Sequence, residues 1–261
     1  RTGNLLQYLG VLIVAISLNF MLPRLMPGNP LVLLAGVDVG LMTPEEREAG
    51  VVVIDIGGGT SDIAIFIEGT VWHTAVIPLG GNHVTSDITY LTHIPFDTAE
   101  AVKVQYGHAQ PKSIDPVETL LVEPFGEGLP TEISRQNLAR IIEARVAEIF
   151  ELVHKEIKRS GYDGLLRAGA VITGGCSQLE GIHEVAAQML DLPIRLAKPE
   201  RLTGMADSLR NPSYSTSVGL LKLGLEIDDA QPLSTGGGNG TPPALGWGLI
   251  TNFIRRLLPD D

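Results

Sequence analysis

"VVVIDIGGGTSDIAIF", Val51–Phe66, joins two apolar runs through three consecutive glycines, with Asp55 before the turn and Asp62 after it. Runs at Val51 to Ile56, Ile63 to Ile67 and Val71 to Pro78 have the length and β-branched content of strands. Glycine turns separate them, and together they predict an antiparallel meander. Gly57, Gly58 and Gly59 permit positive φ and carry no side chains, so successive N–H groups there can converge on an anion such as a phosphate. Thr60 and Ser61 add hydroxyl donors at the edge of the turn. Asp55, at the end of the first run, can hold a hydrated Mg²⁺ or orient an attacking water beside a terminal phosphate. The turn holds no lysine, so the P-loop pattern fails; a strand follows it, so the dinucleotide fingerprint fails as well. Taken alone, the stretch fits an ordinary hairpin with a glycine bulge equally well.

Two further glycine pairs shift that balance. "LGGNHVTSDI", Leu79–Ile88, follows the third run and starts a helix at Gly80 and Gly81, while "VITGGCSQLEGI", Val171–Ile182, again sets a pair, Gly174 and Gly175, between strand and helix. Bare backbone at both places can line a nucleotide, and a helix N-terminus adds favourable potential. In "AEAVK", Ala99–Lys103, Glu100 and Lys103 share a helix face, where the acid can take a ribose hydroxyl and the lysine stem can pack on a purine. As an isolated pair they read as a solvated surface ion pair. Cys176 reads as a small turn residue, His154 as a solvated helix residue and Trp72 as a strand side chain packing on a sheet face. The six histidines show no paired metal spacing.

With 261 residues, 44% of them hydrophobic, the chain can build one large or two modest cores, which excludes disorder throughout. A net charge of −11 argues against a nucleic-acid partner, since such binders present Lys and Arg to phosphates. A lone cysteine excludes an intramolecular disulfide framework. Helices are expected around Asp97 to Tyr106 and from Asn137 to Lys158; in the second, Leu138, Ile141, Ile142, Ile149, Val153 and Ile157 recur at helical spacing. The strand-like "AGAVITGG" leads into the helix-like "LEGIHEVAAQML". Strands feeding helices through glycine turns imply a layered α/β architecture.

The ends differ from this middle. Leu5 to Leu22, "LLQYLGVLIVAISLNFML", is 18 residues without formal charge, which predicts a transmembrane helix at the lower edge of spanning length; a buried core helix is the alternative. Pro23, Pro27 and Pro30 close it, and the opening at Arg1 reads as that of a fragment or processed product. Residues 50–227 form the α/β region, and residues 228–246, "DDAQPLSTGGGNGTPPALG", read as a flexible linker. Over the last piece, 247–261, a helix would gather Trp247, Leu249, Ile250, Phe253, Ile254, Leu257 and Leu258 on one half of its wheel. Arg255 and Arg256 then lie on the other half. Such a helix suits the plane of a membrane interface, and docking on the parent domain or a partner is the alternative.

The motifs quoted above, with "FDTAEAVKVQYGHA", "IIEARVAEIFELV" and "NPSYSTSVGLLKLG", stand in the order and spacing of the actin-like ATPases. Over residues 50–225 they closely resemble the bacterial cell-division family FtsA. The resemblance implies the second half of an actin-like, ribonuclease H-like α/β fold, preceded here by the single apolar helix. It implies ATP and Mg²⁺ as cofactors. Asp55 would take the Mg²⁺ or water position, acting on the metal through water. Gly57, Gly58, Gly59, Thr60 and Ser61 would lie at the phosphates, Gly80 and Gly81 near ribose and phosphates, Glu100 and Lys103 at the adenosine, and Gly174 and Gly175 beneath the adenine. Partners implied are the C-terminal tail of FtsZ, docking on about Val84 to Asp163, further copies in actin-like filaments, and inner-membrane lipid under the terminal helix. The implied place is the cytoplasmic face of the inner membrane at the septum, with at most a weak ATPase activity because the first phosphate loop is missing. Residues 1–49, including "LPRLMPGNP" and "GLMTPEERE", instead resemble the start of a dipeptide or oligopeptide transporter permease. The chain is therefore expected to join two unrelated coding regions near Glu48 to Gly50. A permease fragment, or a pilus-assembly or shape-determining relative, is the alternative function.

Overall fold

In chain order the elements are α1 (Pro44–Ala49), β1 (Val51–Ile56), β2 (Ser61–Ile67), β3 (Thr70–Ile77), α2 (Gly81–Thr92), α3 (Phe96–Tyr106), β4 (Thr119–Val122) and β5 (Thr131–Ser134). Then follow α4 (Arg135–Ser160), β6 (Gly169–Thr173), α5 (Ile182–Leu190), β7 (Ile194–Leu196) and α6 (Ser215–Ala230). They come from a computed structural model that describes residues 39–126, 128–200 and 208–230. All the strands among the described residues lie in the unit Leu31–Gly224.

The opening stretch folds as an antiparallel meander. Asp55 pairs with Asp62 and Ile54 with Ile63 across β1 and β2, and β3 returns beside β2. The β2–β3 turn has Glu68 and Gly69 both at positive φ, 51° and 74°, matching the right-handed twist of the strands it joins. The full sheet has the order β3-β2-β1-β6-β7, with β6 and β7 parallel to β1. Every residue of β6 is buried, as expected where a parallel strand has both faces covered.

One face of the sheet supports the larger core, in which Val52, Ile54, Ile63, Ile65 and Ile172 meet Val84, Ile88, Leu138, Ile142, Phe150 and Ile182. Helix α4 is the main strut of this layer. Ser134 caps it by accepting from the Asn137 amide at 3.3 Å, and Gly161 ends it in the left-handed region at φ 78°. Its apolar spacing meets the core as the sequence predicts, except that Ile141 is only partly buried.

The other face is covered by residues before Gly50. Leu41 and Met42 are buried with Val51, Val53, Ala64, Phe66, Val71, Val171 and Ala197. Thr43 and Glu46 form a reciprocal cap at the start of α1. Arg195 of β7 clamps Glu46 at 2.8 and 2.7 Å and donates to the Leu41 carbonyl at 2.8 Å. The segment from Leu41 to Ala49 thus packs on the same sheet as the α/β region.

The β4–β5 hairpin forms a sheet of its own. Arg135 ties it down, donating to the Glu118 carboxylate at 2.9 and 3.0 Å and to the Tyr106 carbonyl at 3.0 Å. Trp72 does not lie flat on a sheet face: it is half exposed, with its indole N–H donating to the Ile67 carbonyl and its ring tilted against Tyr162. Among the described residues no helix is long and apolar enough to cross a membrane. Leu5 to Leu22 and Trp247 to Leu258 lie outside the described residues, and α6 runs through Asp228 to Ala230, where the linker is expected to begin.

Candidate functional site

The glycine turn is closed by the Gly57 amide donating to the Thr60 carbonyl at 2.9 Å. Its carbonyls reach the start of α2: Gly57 O accepts from Gly81 N and Gly58 O from Asn82 N, each at 2.8 Å. This explains Gly80, where a Cβ would sit 2.6 and 2.7 Å from those two oxygens. None of Gly57, Gly58 and Gly59 uses the positive φ that glycine permits. Their bareness serves approach instead: a Cβ on Gly58 would press on the Asn82 side chain at 3.2 Å, while Gly59 faces open space. The first amides of α2 are consumed by the turn. The amides of Gly58 and Gly59 have no backbone acceptor among the described residues, so the turn, more than the helix end, offers N–H groups to an anion.

Behind the turn, Asp55 is gripped from two sides. The Thr216 hydroxyl donates to its Oδ2 at 2.6 Å, and Gly174, at φ 90°, leaves the space its Oδ1 occupies: a Cβ there would lie 2.3 Å away. Burial pushes the Asp55 carboxyl above its usual range, the Thr216 bond opposes this, and the charge of Asp62 opposite it adds to the rise. A divalent cation would offset both burial and repulsion.

A cleft of about 590 Å³ lies in front, walled by Gly57, Gly58, Gly81, Asn82, Glu100, Lys103, Gly107, Gly175, Cys176 and Ser213 among others. Glu100 and Lys103 are not a solvated pair. Lys103 is buried and spends its donors on the Gly81 carbonyl at 3.1 Å, the Thr85 hydroxyl at 2.9 Å and Glu100 Oε2 at 2.7 Å. Thr85 also bonds Glu100 Oε2. With its three protons taken, the ammonium is a fixture of the wall; these bonds to Glu100 fall on Oε2, and its side chain is 40% exposed at the cleft. Burial pushes the Glu100 carboxyl up, but the bonds from Lys103 and Thr85 and the Lys103 charge outweigh it and hold it below its usual 4.5. Burial also raises the Cys176 thiol, which is therefore a poor nucleophile.

The structure brings Gly57, Gly58, Gly81, Glu100, Lys103 and Gly175 to one cleft. Asp55 and Gly174 are not among its walls, and Gly174 abuts Asp55 and the Ile56 carbonyl. Thr60 is exposed and donates to Asp62, and Ser61 is buried with its hydroxyl on the Leu79 carbonyl, so Ser61 has no donor left for a ligand. Sequence reasoning missed Asn82, Thr85, Ser213 and Thr216. The one available signal was the run of hydroxyls in "PSYSTS" ahead of an apolar helix.

A family model described as cell division protein FtsA matches residues 52–219. The chain belongs to the FtsA family. It is 46% identical over 198 residues to the cell division protein FtsA of Pseudomonas aeruginosa, covering 76% of this chain and 48% of that protein. The Neisseria meningitidis FtsA is 40% identical over 193 residues, at 74% and 47% coverage, and that of Escherichia coli 42% over 193, at 71% and 46%. The chain thus spans about half the length of these FtsA relatives. Among solved structures, MreB5 of Spiroplasma citri bound to ADP superposes with a TM-score of 0.57 at 22% identity, covering 75% of this chain and 60% of that one. A PilM–PilN type IV pilus biogenesis complex gives 0.55 at 17% identity, covering 75% and 51%. Both likenesses establish the actin-like fold.

Proposed function

We propose that this chain carries the second half of an FtsA nucleotide clamp, binding ATP and tethering FtsZ filaments to the cytoplasmic face of the inner membrane at the septum. The observation that carries the reading is the convergence of the glycine turn, the start of α2, Glu100 and Gly175 on one cleft in a chain of this family. MreB5, which shares the fold, is bound to ADP, and that supports the choice of ligand.

The residues fit Mg·ATP in three ways. The amides of Gly58 and Gly59 have no backbone acceptor among the described residues and suit phosphate oxygens; Asp55 lies opposite a second carboxylate and suits a hydrated cation; Glu100 Oε1 suits a ribose hydroxyl. When bound, Mg²⁺ would neutralise phosphate charge. Asp55 would hold it through water, and Gly175 would let the adenine lie on backbone. Hydrolysis is at most weak on this reading. Photolabelling with an azido-ATP checks the assignment: label on peptides spanning 100–107 and 174–180 supports it, and label confined to other peptides contradicts it.

Exposed Tyr90, Leu91, Leu121, Phe125 and Leu129 support a docking face for the FtsZ tail on about Val84 to Asp163, and self-association into filaments belongs to the same reading. Membrane attachment is assigned to Trp247 to Leu258, and the permease-like reading of the first residues is retained for 1–38. From the sequence, the join of two coding regions is expected near Glu48 to Gly50; burial of Leu41 and Met42 under the sheet supports instead a join ahead of Gly40. One uninterrupted frame across that point in independent isolates would remove the proposal.

A further inference from the structure

The side chain that holds Asp55 belongs to α6, an element the glycine-turn reading leaves unused. Thr216 stands 161 positions along the chain from Asp55, and its hydroxyl donates to Asp55 Oδ2 at 2.6 Å. The helix start carrying it is itself anchored. Ser215 is buried and shares a 2.6 Å hydroxyl pair with Thr173 at the end of β6, while Thr173 donates to the Ala197 carbonyl at 3.0 Å. With the Thr173 proton committed to Ala197, Ser215 is the donor of that pair, which fixes the first turn of α6 to the sheet. At the other carboxylate oxygen, Oδ1 abuts the bare Cα of Gly174, where a Cβ would come within 2.3 Å. The carboxylate is therefore held by α6 through Oδ2, with the strand–helix glycine leaving space for Oδ1. Directly across the ladder stands Asp62, so this end of the hairpin gathers negative charge.

We propose that Thr216 is a positioning residue for the Mg²⁺-loaded site: its hydroxyl fixes the Asp55 carboxylate so that the remaining lone pairs meet the hydration shell of the cation. The inference rests on the reading of the cleft as a Mg·nucleotide site. Thr216 fills one of the roughly four lone-pair sites of the carboxylate, leaving the others for water. A hydroxyl in this place acts as outer partners of metal sites act, by holding a ligand in the orientation the metal needs without touching the metal.

The test is an equilibrium titration of the full chain with ATP, in Mg²⁺ and in EDTA, for the unaltered chain, Thr216→Val and Thr216→Ser. Thr216 is exposed, and a thermal melt checks that each variant is folded. The expected result is that Mg²⁺ tightens binding by the unaltered chain and that Thr216→Val loses about tenfold of this tightening. Its affinity in EDTA stays at the unaltered value, and Thr216→Ser recovers the loss. Full Mg²⁺ tightening in Thr216→Val would overturn the proposal. So would equal weakening with and without Mg²⁺ and no recovery by serine, which marks a packing role only, or a Mg²⁺ effect missing from the unaltered chain. Absence of saturable binding by the unaltered chain in both conditions would overturn the nucleotide reading itself and this inference with it.

Discussion

Gly174 shows how one missing side chain serves the site. Its φ of 90° is a conformation L residues rarely adopt, and its place against Asp55 Oδ1 and the Ile56 carbonyl leaves nowhere for a methyl. Gly174→Ala is expected to destabilise the fold by roughly 2–4 kcal/mol, combining backbone strain with the displaced carboxylate. A denaturant titration measures this, and an unchanged midpoint would mean that the turn can rearrange. The Lys103 network gives a second test. Lys103→Met strips partners from the Gly81 carbonyl, the Thr85 hydroxyl and Glu100, and is expected to cost about 1–3 kcal/mol, discounted because Glu100 is partly exposed. The pH dependence follows from the lowered Glu100 carboxyl: its contribution is complete above the ordinary value of 4.5 and is lost as pH falls through the lower folded-state value. The stability gap between the unaltered chain and Glu100→Gln should therefore hold from pH 7 to 5 and close below about 4.5. A gap that widens on acidification would show that Glu100 is not held ionised by Lys103.

At the scale of elements, α1 and the residues before it carry a definite load. Leu41 and Met42 close the sheet face that Val53 and Phe66 would otherwise leave to water. A chain starting at residue 39 should be more stable than one starting at Gly50, and Leu41→Asp should cost about 2–4 kcal/mol. Equal stability of the two truncations would contradict the packing described. Arg135 is the corresponding fixture of the β4–β5 hairpin, and Arg135→Ala should speed amide exchange over Thr119–Val122 while leaving β1 protected. The elements that could be read directly were those with long, regular patterns: β1 to β3, bounded by glycines, and α4, with its 26 residues of helical spacing. The β4–β5 hairpin could not be, because the four-residue strands "TLLV" and "TEIS", with one buried side chain between them, lack a buried face to impose alternation. The walls of the cleft were legible through their glycines. The side chains behind them were not: Thr85, which bonds the wall residues Lys103 and Glu100, and Thr216, which bonds Asp55 behind the turn, are ordinary helix residues by sequence, and only tertiary contact shows what their hydroxyls hold.

For the whole molecule, the proposed nucleotide wall rests on contacts within the fold: the glycine turn bonds the start of α2, Thr216 holds Asp55, and Lys103 and Thr85 hold Glu100. Side chains held by such contacts lower the ordering cost of binding, so under the proposed function the cleft should hold nucleotide even though the chain spans about half of its FtsA relatives. The most direct measurement is a Mg·ATP titration of the full chain beside Asp55→Ala. Saturable binding by the unaltered chain, weakened about tenfold or more by Asp55→Ala while the fold persists, is the predicted result. No saturable binding, or the same affinity in both chains, would contradict the account.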